Sequence, residues 1–343
     1  MWIGYCSTCQ KELQVPPGLP CVQCASCHSV VEVAPDPRIT NPPPPQLPTP
    51  RPPVQQQGSK RAVICGITYN DTSVTLEGCI NDAKNMKYFL LNRFNFPESS
   101  ILMLSEEETD PNRVPTRRNI ISALQWLVKD CKAGDSLVFH YSGHGFSLED
   151  KNGDEVDGFD ETLVPLDYET EGMIVDDDIN ELIVKPIPIG VKLHAIIDSC
   201  HSGTVLDLPF LCRMDRTGRY TWEDHRPPSK IWKGTKGGEV ICISGCDDDQ
   251  SSMDTSVLSK EASTGAMTFS FIQAIENGQG TTYANLLYSM RSIIQSAGSD
   301  MKLRRRDKLR NLILTGEKKF RIRQEPQLTA NEPSDLYHKS FSL

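Results

Sequence analysis

The pattern of apolar and polar positions after residue 60 alternates short apolar runs with stretches of helical periodicity. The apolar runs predict buried strands at 61–68, 101–104, 136–142, 191–198 and 239–244, and a shorter run predicts a sixth at 312–314. Amphipathic stretches predict helices at 78–94 and 116–131. Strands that alternate with helices indicate an α/β fold, with a mainly parallel sheet flanked by helices on both faces.

The first 60 residues lack this pattern and contain a tract of prolines. Residues 41–54 read NPPPPQLPTPRPPV. Proline has no amide hydrogen and a fixed φ, so the tract predicts an extended polyproline II segment. It serves either as a semi-rigid spacer or as a ligand for aromatic-lined grooves. We therefore predict a small N-terminal module at 1–34 and a proline-rich linker or prodomain at 35–60.

Composition narrows the class of protein. The chain has 343 residues, a net charge of −9 and 12 cysteines. It has no apolar run long enough for a membrane helix and no secretory signal pattern, so we expect a protein of the cytoplasm or nucleus without a membrane partner. The acidic balance argues against nucleic acid as a partner. In a reducing compartment the cysteines are expected to be metal ligands, a nucleophile or small buried side chains rather than disulfides.

Four cysteines near the N-terminus have the spacing of a structural zinc site. Cys6 and Cys9 form one pair and Cys24 and Cys27 a second, and each pair is separated by two residues. Two such pairs supply the four thiolates of tetrahedral zinc. Cys21 and His28 are alternative ligands on spacing alone. About 34 residues cannot build a core, so the metal would supply most of the folding energy of this ribbon.

Two predicted strands end in sequences that favour nucleophilic chemistry. The strand at 136–142 is followed by His144 between glycines, and the strand at 191–198 is followed by Cys200. Ligands and substrates bind at the carboxyl ends of parallel strands, and a thiol there needs a nearby histidine to become a thiolate. The amides of Gly145 and Cys200 are candidates for an oxyanion hole. His140 and His194 fall inside strands and are predicted to be structural.

Two carboxylates suggest the specificity of such a site. Asp198 lies two residues before Cys200, so a substrate with lysine or arginine at P1 would be attracted and one with aspartate repelled. Asp82 either supplies a second carboxylate at the same cleft or is a helix-start charge favoured by the helix dipole.

A second set of acidic residues is typical of either a solvated loop or a hard-cation site. Five acidic side chains fall within residues 154–161, three lie at 176–178, and Asp207 follows Cys200 by seven residues. Calcium binds six to eight oxygens from flexible loops, but the spacing of an EF-hand is absent.

The two strand-end motifs resemble those of a known peptidase family. HYSGHG at 140–145 and DSCHSG at 198–203 occur in this order, with His144 and Cys200 separated by 56 positions. Both are similar to the signature motifs of metacaspases, the caspase-like cysteine peptidases of plants, fungi and protists. The segment LQVPPGLPCVQCASC resembles the LSD1-type zinc finger that precedes the catalytic domain in plant type I metacaspases.

This resemblance, which spans about residues 60–320, implies a caspase-like fold and a division of the chain. The expected parts are a large, p20-like part at 61–212, a linker at 213–238 and a small, p10-like part at 239–343. The segment 212–238 carries basic residues at which a zymogen would cleave itself, unless it is an uncleaved linker. These basic residues are Arg213, Arg216, Arg219, Arg226, Lys230, Lys233 and Lys236.

The resemblance also assigns roles to individual residues. His144 and Cys200 would form the catalytic dyad. The substrate-binding pocket would be lined by Cys79, Asp82, Ser142 and Asp198. Activating calcium would be held by Asp160, Asp176, Asp177 and Asp207. Structural zinc would be held by Cys6, Cys9, Cys24 and Cys27.

We therefore expect a calcium-stimulated cysteine endopeptidase that cleaves protein or peptide substrates after arginine or lysine. By family resemblance it would act in programmed cell death and in stress or immune defence. The zinc finger and proline tract are expected to contact other proteins. The alternative is a zinc-finger interaction protein whose protease-like domain is only a scaffold.

Overall fold

The computed structural model of the chain describes residues 2–15, 21–32, 58–70, 72–153, 155, 158–200, 202–226, 232–245, 254–255, 264–309 and 325–343. The chain divides into two compact units, residues 1–55 and 56–343. Nearly all of the predicted proline-rich linker and the predicted strand at 312–314 lie outside the described residues.

The N-terminal unit consists of two small antiparallel hairpins. The first pairs β1 (Trp2–Tyr5) with β2 (Glu12–Val15), and the second pairs β3 (Cys21–Gln23) with β4 (Val30–Glu32). Their turns are built alike. Gln10 and His28 both have a φ of 58°, and their amides donate to the carbonyls of Cys6 and Cys24 at 2.9 and 2.8 Å. Each hairpin therefore presents its pair of cysteines on an equivalent turn.

The larger unit alternates strands and helices as the pattern predicts. Its helices are α1 (Cys79–Phe94), α2 (Arg117–Val128), α3 (Tyr168–Glu171), α4 (Asp176–Ile179), α5 (Ala266–Glu276) and α6 (Tyr283–Leu309). Short 3₁₀ turns occur at Glu98–Ser100 and Pro111–Arg113, and a π-helical turn at Asn180–Val184. Its strands are β5 (Lys60–Gly66), β6 (Ile101–Ser105), β7 (Ser136–Ser142), β8 (Gly145–Glu149), β9 (Phe159–Leu163), β10 (Ile174–Val175), β11 (Lys192–Asp198), β12 (Phe210–Met214), β13 (Tyr220–Asp224), β14 (Glu239–Ser244), β15 (Asp254–Thr255), β16 (Thr264–Gly265) and β17 (Gln327–Ala330).

Eight of these strands form one central sheet, in the order β13-β12-β17-β14-β11-β7-β5-β6. The five strands from β14 to β6 are parallel, and the other three pair antiparallel. The predicted fold class, a mainly parallel sheet between helices, is confirmed. The β8, β9 and β10 strands form a separate antiparallel sheet, and β15 pairs with β16.

The alternation of side chains along β5 shows why the sheet is covered on both faces. Ala62 and Ile64 pack in one core with α1, α5 and α6, whereas Val63 and Cys65 pack in the other with α2. All four are fully buried. Successive strand residues point to opposite faces, so a continuous apolar run requires two covering layers. Among the described residues, no helix combines the length and apolar character needed to span a bilayer.

The first half of the predicted linker at 213–238 has regular secondary structure. Residues 210–224 form the β12–β13 hairpin, which pairs through β12 with β17 in the central sheet. Tyr220 and Trp222 alternate on β13 and pack against the core, and a turn that includes Gly218 joins the strands. Two alternating aromatics after such a turn are the signal that would have predicted this hairpin.

The two strand histidines are structural, as predicted. His140 is fully buried and His194 nearly so. The Nε2 atom of His140 lies 3.1 Å from the Thr268 hydroxyl, and that of His194 lies 2.6 Å from the Tyr283 hydroxyl. Burial lowers the pKa of both histidines to about 3. Both therefore stay neutral in the folded chain over the physiological range.

Replacement of His194 by glutamine is expected to reduce the acid sensitivity of the fold. Unfolded histidine has a pKa of about 6.5, so below that pH the unfolded chain binds a proton that the folded chain rejects. This contribution to stability is present above about pH 6.5 and is lost as the pH falls, by up to about 1.4 kcal/mol per pH unit. Urea denaturation between about pH 7 and 5 should give a shallower decline for His194→Gln. Equal slopes would contradict the assignment.

Candidate active site

The register between β7 and β11 brings the two predicted catalytic residues to one edge of the sheet. Ser142, the last residue of β7, is paired with Asp198, the last residue of β11. His144 and Cys200 each follow their strand's last residue by two positions. The amide of Gly143 donates to the Asp198 carbonyl at 3.3 Å, which extends the contact beyond the strands. The sheet therefore places His144 and Cys200 at equivalent positions on neighbouring strands.

Gly145 lies directly against the backbone of Cys200. A Cβ atom at Gly145 would approach the Cys200 carbonyl oxygen to 2.1 Å, so only glycine fits there. The glycine after the histidine is therefore a packing requirement of the contact between the two motifs. The amides of Gly145 and Cys200, predicted to form the oxyanion hole, belong to these touching segments.

His144 is oriented by a loop that sequence analysis did not single out. Its Nε2 atom lies 2.6 Å from the carbonyl oxygen of Val74. A carbonyl only accepts hydrogen bonds, so Nε2 carries the hydrogen and Nδ1 is left as the basic nitrogen. Tyr69 lies against the same side chain, with ring centroids 4.7 Å apart, and its hydroxyl accepts the His144 amide at 3.0 Å. The Tyr141 hydroxyl donates to the His144 carbonyl at 2.9 Å.

Sequence reasoning missed these neighbours for different reasons. Val74 acts through its backbone carbonyl, so its residue type carries no signal. Tyr69 has a φ of 55°, which is uncommon for a residue other than glycine, but a backbone angle is not visible in the sequence.

Three of the predicted pocket residues, Asp82, Ser142 and Asp198, meet the start of α5 beside this edge. The Ser142 hydroxyl donates to Asp82 Oδ2 at 2.9 Å. The Gly265 amide donates to both carboxylate oxygens of Asp82, at 3.0 and 2.9 Å. The Thr268 amide donates to Asp198 Oδ2 at 2.8 Å. Both carboxylates are buried.

Gly265 lies between the two carboxylates. A Cβ atom there would lie 2.2 Å from Asp198 Oδ2 and 2.8 Å from Asp82 Oδ2. Cys79, the fourth predicted pocket residue, is buried one helical turn before Asp82 at the start of α1. Asp82 lies in the first turn of α1, as the alternative of a helix-start charge requires, and it is also fully buried and bonded to Ser142 and Gly265.

A second cluster of carboxylates overlaps the predicted calcium ligands. One carboxylate oxygen from each of Glu155, Asp160 and Asp176 lies within 4.8 Å of the other two. Calcium lies about 2.3–2.6 Å from its oxygen ligands, so oxygens up to about 5 Å apart fit one ion. Burial, followed by the charges of Glu155, Asp207 and Glu161, raises the pKa of Asp176 to about 10. The cluster therefore fits a hard cation.

The other two predicted calcium ligands are placed differently. Asp207 pairs with the ammonium of Lys233 at 2.7 Å, and the same ammonium lies 2.6 Å from Glu155. Asp177 does not belong to the cluster of three carboxylates, and it accepts a hydrogen bond from Asn152 at 2.8 Å. Asp160 lies on strand β9 rather than in a loop. Asp154 and Asp157 of the predicted acidic loop lie outside the described residues.

Lys233 is a buried cation in this acidic region, whereas the sequence suggests an exposed basic residue of a cleavable linker. Its side chain is 4% exposed. Burial alone would lower the pKa of its ammonium, but Asp207 and Glu155 outweigh burial and raise the pKa. A basic residue in a polar stretch gives no sequence signal for burial beside partners 26 and 78 positions away.

The buried Asn180 links this region to the loop that follows Cys200. Its side-chain amide donates to the carbonyls of Leu206 and Asp207, both at 3.0 Å, and to that of Lys233 at 3.3 Å. Asn180 therefore connects the backbone at Leu206 and Asp207 with that at Lys233.

The four predicted zinc ligands converge in the N-terminal unit. The sulfurs of Cys6 and Cys27, and those of Cys9 and Cys24, lie 3.6 Å apart. Tetrahedral zinc with Zn–S bonds of about 2.3 Å requires sulfurs about 3.8 Å apart, so the four fit one ion. Hydrogen bonds from Ser29 and from backbone amides lower the pKa of Cys6 to about 5. His28 is exposed and is not part of this cluster.

Comparison with known proteins agrees with both units. The family model described as "Metacaspase, peptidase C14 domain" matches residues 60–209, and the LSD1 zinc finger model matches residues 6–30. Metacaspase-1 of Arabidopsis thaliana is 58% identical over 98% of this chain and 95% of its own length. Metacaspase-2 of the same plant is 47% identical over 98% of this chain and 99% of its own length. A solved protein of Geobacter sulfurreducens covers 83% of this chain and 97% of its own, with a TM-score of 0.51 and 22% identity, which supports the fold alone.

We predict one zinc ion per chain, bound by Cys24 and not by Cys21. Elemental analysis of the purified full chain should find one equivalent of zinc, which Cys24→Ser loses and the control Cys21→Ser retains. Without metal the two hairpins should unfold, because a unit this small depends on zinc for its folding energy. Loss of zinc from Cys21→Ser with retention in Cys24→Ser would overturn the ligand assignment.

The similarity covers nearly the whole chain and includes both the zinc finger and the peptidase domain. It supports a cysteine peptidase over the alternative in which the protease-like domain is only a scaffold. The chain belongs to the metacaspase family of cysteine peptidases and has the N-terminal LSD1 zinc finger of the plant type I members.

Proposed function

We propose that this metacaspase is an endopeptidase that cleaves after arginine or lysine and is stimulated by calcium. The observation that carries the proposal is the pair of buried carboxylates, Asp82 and Asp198, at the sheet edge where His144 and Cys200 emerge. Buried charges of one sign favour a ligand of the other sign.

In the proposed mechanism Cys200 is the nucleophile and His144 the acid–base group. Nδ1 of His144 accepts the thiol proton while its Nε2–H stays bonded to the Val74 carbonyl, which stabilises the imidazolium that forms. The thiolate attacks the peptide carbonyl, and the amides of Gly145 and Cys200 stabilise the oxyanion. The imidazolium then gives its proton to the leaving amine, and water hydrolyses the thioester with His144 as base.

Neutral groups donate hydrogen bonds to the two pocket carboxylates. Ser142, Gly265 and Thr268 bond to them through a hydroxyl and two amides, none of which carries a charge. These bonds offset part of the free-energy cost of burying the carboxylates. A guanidinium or ammonium at P1 would be attracted to the two carboxylates, whereas an aspartate at P1 would be repelled.

The acidic cluster supports calcium as the stimulating ion. We propose that Asp160, Asp176 and Asp207, with Glu155, hold it, and that Asp177 joins them after release from Asn152. Bound calcium would supply positive charge among buried carboxylates. Lys233 already supplies positive charge there, because its ammonium forms ion pairs with both Glu155 and Asp207. Calcium would therefore exchange with Lys233, and Asn180 would pass the change to the Cys200 loop.

The family context supports a role in programmed cell death and in stress or immune defence, in the cytoplasm or nucleus. The zinc finger is proposed to contact other proteins. Self-cleavage would fall within the segment that follows β13 or in the exposed turn that carries Arg216 and Arg219.

The central prediction is turnover of a fluorogenic peptide with arginine at P1 in the presence of calcium. Wild type should cleave it, and Cys200→Ala should be inactive. Equal activity of the two proteins would refute the assignment of the nucleophile. A preference for the matching aspartate peptide would refute the pocket.

Asp198→Asn should lower kcat/KM for the arginine peptide by about 100-fold or more, since loss of one partner of a buried charge pair costs roughly 2–5 kcal/mol. Asparagine retains an oxygen for the Thr268 amide, so the melting temperature should change little. The exposed Asp178, which pairs with Arg117 on the surface, provides the matched control Asp178→Asn. An unchanged kcat/KM for Asp198→Asn would remove this carboxylate from the pocket.

Lys233→Met should bind calcium more tightly than wild type, by about tenfold or more, and should be less stable without it. Removal of the buried ammonium leaves uncompensated carboxylates, a change that destabilises by roughly 3–5 kcal/mol. Calorimetric titration with calcium and melting in its absence measure both effects. Lys185→Met, at a more exposed lysine paired with Glu181, is the control. Weaker calcium binding by Lys233→Met would mean that Lys233 supports the site rather than competing for it.

A further inference from the structure

The loop that orients His144 is itself held by one carboxylate, that of Glu106. We define the histidine loop as residues 68–70 and 72–76, which follow β5. Glu106 follows β6, the edge strand paired with β5, and Gly66 is paired with Ser105 at the ends of these strands. The pairing therefore places Glu106 beside the start of the histidine loop.

Three consecutive amides of the loop donate to this carboxylate. Thr68 and Tyr69 donate to Oε1 at 2.5 and 2.6 Å, and Asn70 donates to Oε2 at 2.9 Å. Successive amides that point to one side form a concave anion-binding nest. The φ of 55° at Tyr69 turns the backbone in this way. Glu106 thus supplies the anion around which the backbone of the loop is folded.

The rest of the loop is closed on this nest by its own hydrogen bonds. The Tyr69 carbonyl accepts from the hydroxyls of Thr72 and Thr75 at 2.7 and 3.1 Å. The Leu76 amide donates to the Thr68 carbonyl at 2.8 Å, and the Val74 amide donates to the Thr72 hydroxyl at 3.2 Å. The position of Val74 therefore depends on the conformation of residues 68–70.

The histidine loop contacts His144 at two points. The Val74 carbonyl accepts from Nε2 at 2.6 Å, and the Tyr69 hydroxyl accepts the His144 amide at 3.0 Å. Tyr69 is fully buried and donates in turn to the Val164 carbonyl at 2.6 Å, so its hydroxyl is fixed from both sides. Glu106 does not contact His144 in these interactions; it acts through the loop.

We propose that Glu106 is a positioning residue for the catalytic histidine. Its carboxylate sets the fold of residues 68–70, and this fold sets the Val74 carbonyl and the Tyr69 hydroxyl against His144. The inference rests on the proposed role of His144 and extends it to a residue 38 positions away in sequence. Through Glu106, the edge strand β6 would help to position the catalytic residue that follows β7.

Variants of Glu106 should separate this role from a general effect on folding. Glu106→Gln keeps one acceptor oxygen for Thr68 and Tyr69 but offers no acceptor to Asn70, whereas Glu106→Ala removes all three bonds. On the arginine peptide with calcium, kcat should fall about tenfold for the glutamine variant and about 100-fold for the alanine variant, with KM nearly unchanged. The pH profile of kcat should change as well, because the His144 side chain loses the carbonyl that holds its Nε2–H.

Two further variants complete the test. Glu107→Gln removes a neighbouring charge whose partner is the exposed Lys84, and it should behave as wild type. Tyr69→Phe keeps the ring but removes the acceptor of the His144 amide, and it should lower kcat with little change in melting temperature. This variant tests the same route if Glu106→Ala does not fold.

The outcomes distinguish the proposed role of His144 from the proposed role of Glu106. Activity of His144→Ala equal to wild type would refute the proposed role of His144 and this inference with it. Loss of activity in His144→Ala, together with wild-type kcat and pH profile in both Glu106 variants, would refute only the role of Glu106. A fall in activity of the Glu106 variants that matches their loss of folded protein, with an unchanged pH profile, would overturn it as well.

Discussion

The in-register parallel pairing of β7 and β11 is the constraint on which the rest of the site depends. Because Ser142 and Asp198 are opposite one another, the two signature motifs begin at the same height on the sheet. A shift of one residue would turn the side chains of one strand to the opposite face. It would also break the contact between Gly145 and the Cys200 carbonyl, which leaves no room for a side chain. The register is fixed by burial, since alternate residues of both strands fill two separate cores.

At the same edge of the sheet, two buried carboxylates must be stabilised. Asp82 and Asp198 reach the edge from different elements, and α5 begins beside them. Its first amides donate to both, and the partial positive charge of a helix N-terminus adds to their stabilisation. Gly265 is required there because a side chain would enter the space between the carboxylates. The start of α5 thus completes the surroundings of two carboxylates that come from earlier parts of the chain.

The sequence predicted those parts of the molecule that depend on local pattern. Strands β7 and β14 were predicted to the residue, because a continuous apolar run leaves little choice of limits. The positions of His144 and Cys200 followed from the rule for parallel strands. The β17 strand was missed because its four residues have no pattern of their own and become a strand through pairing with β12 and β14. Glu106 and Val74 were missed for a related reason, since both act on backbone groups, and residue type at one position does not identify a backbone partner at another.

The burial of Lys233 could not be predicted from the sequence either. Composition gives the number of charges, but only the fold decides which of them are buried together.

The two acidic regions of this chain are stabilised in different ways. Beside Asp82 and Asp198, the Ser142 hydroxyl and the Gly265 and Thr268 amides donate hydrogen bonds without carrying a charge. Beside Asp207 and Glu155, the buried ammonium of Lys233 supplies a positive charge. A divalent ion there would have to offset the loss of two ion pairs, which weakens its binding. If the proposed function holds, the first region would recognise the substrate, and the second would bind the regulatory ion in exchange for Lys233.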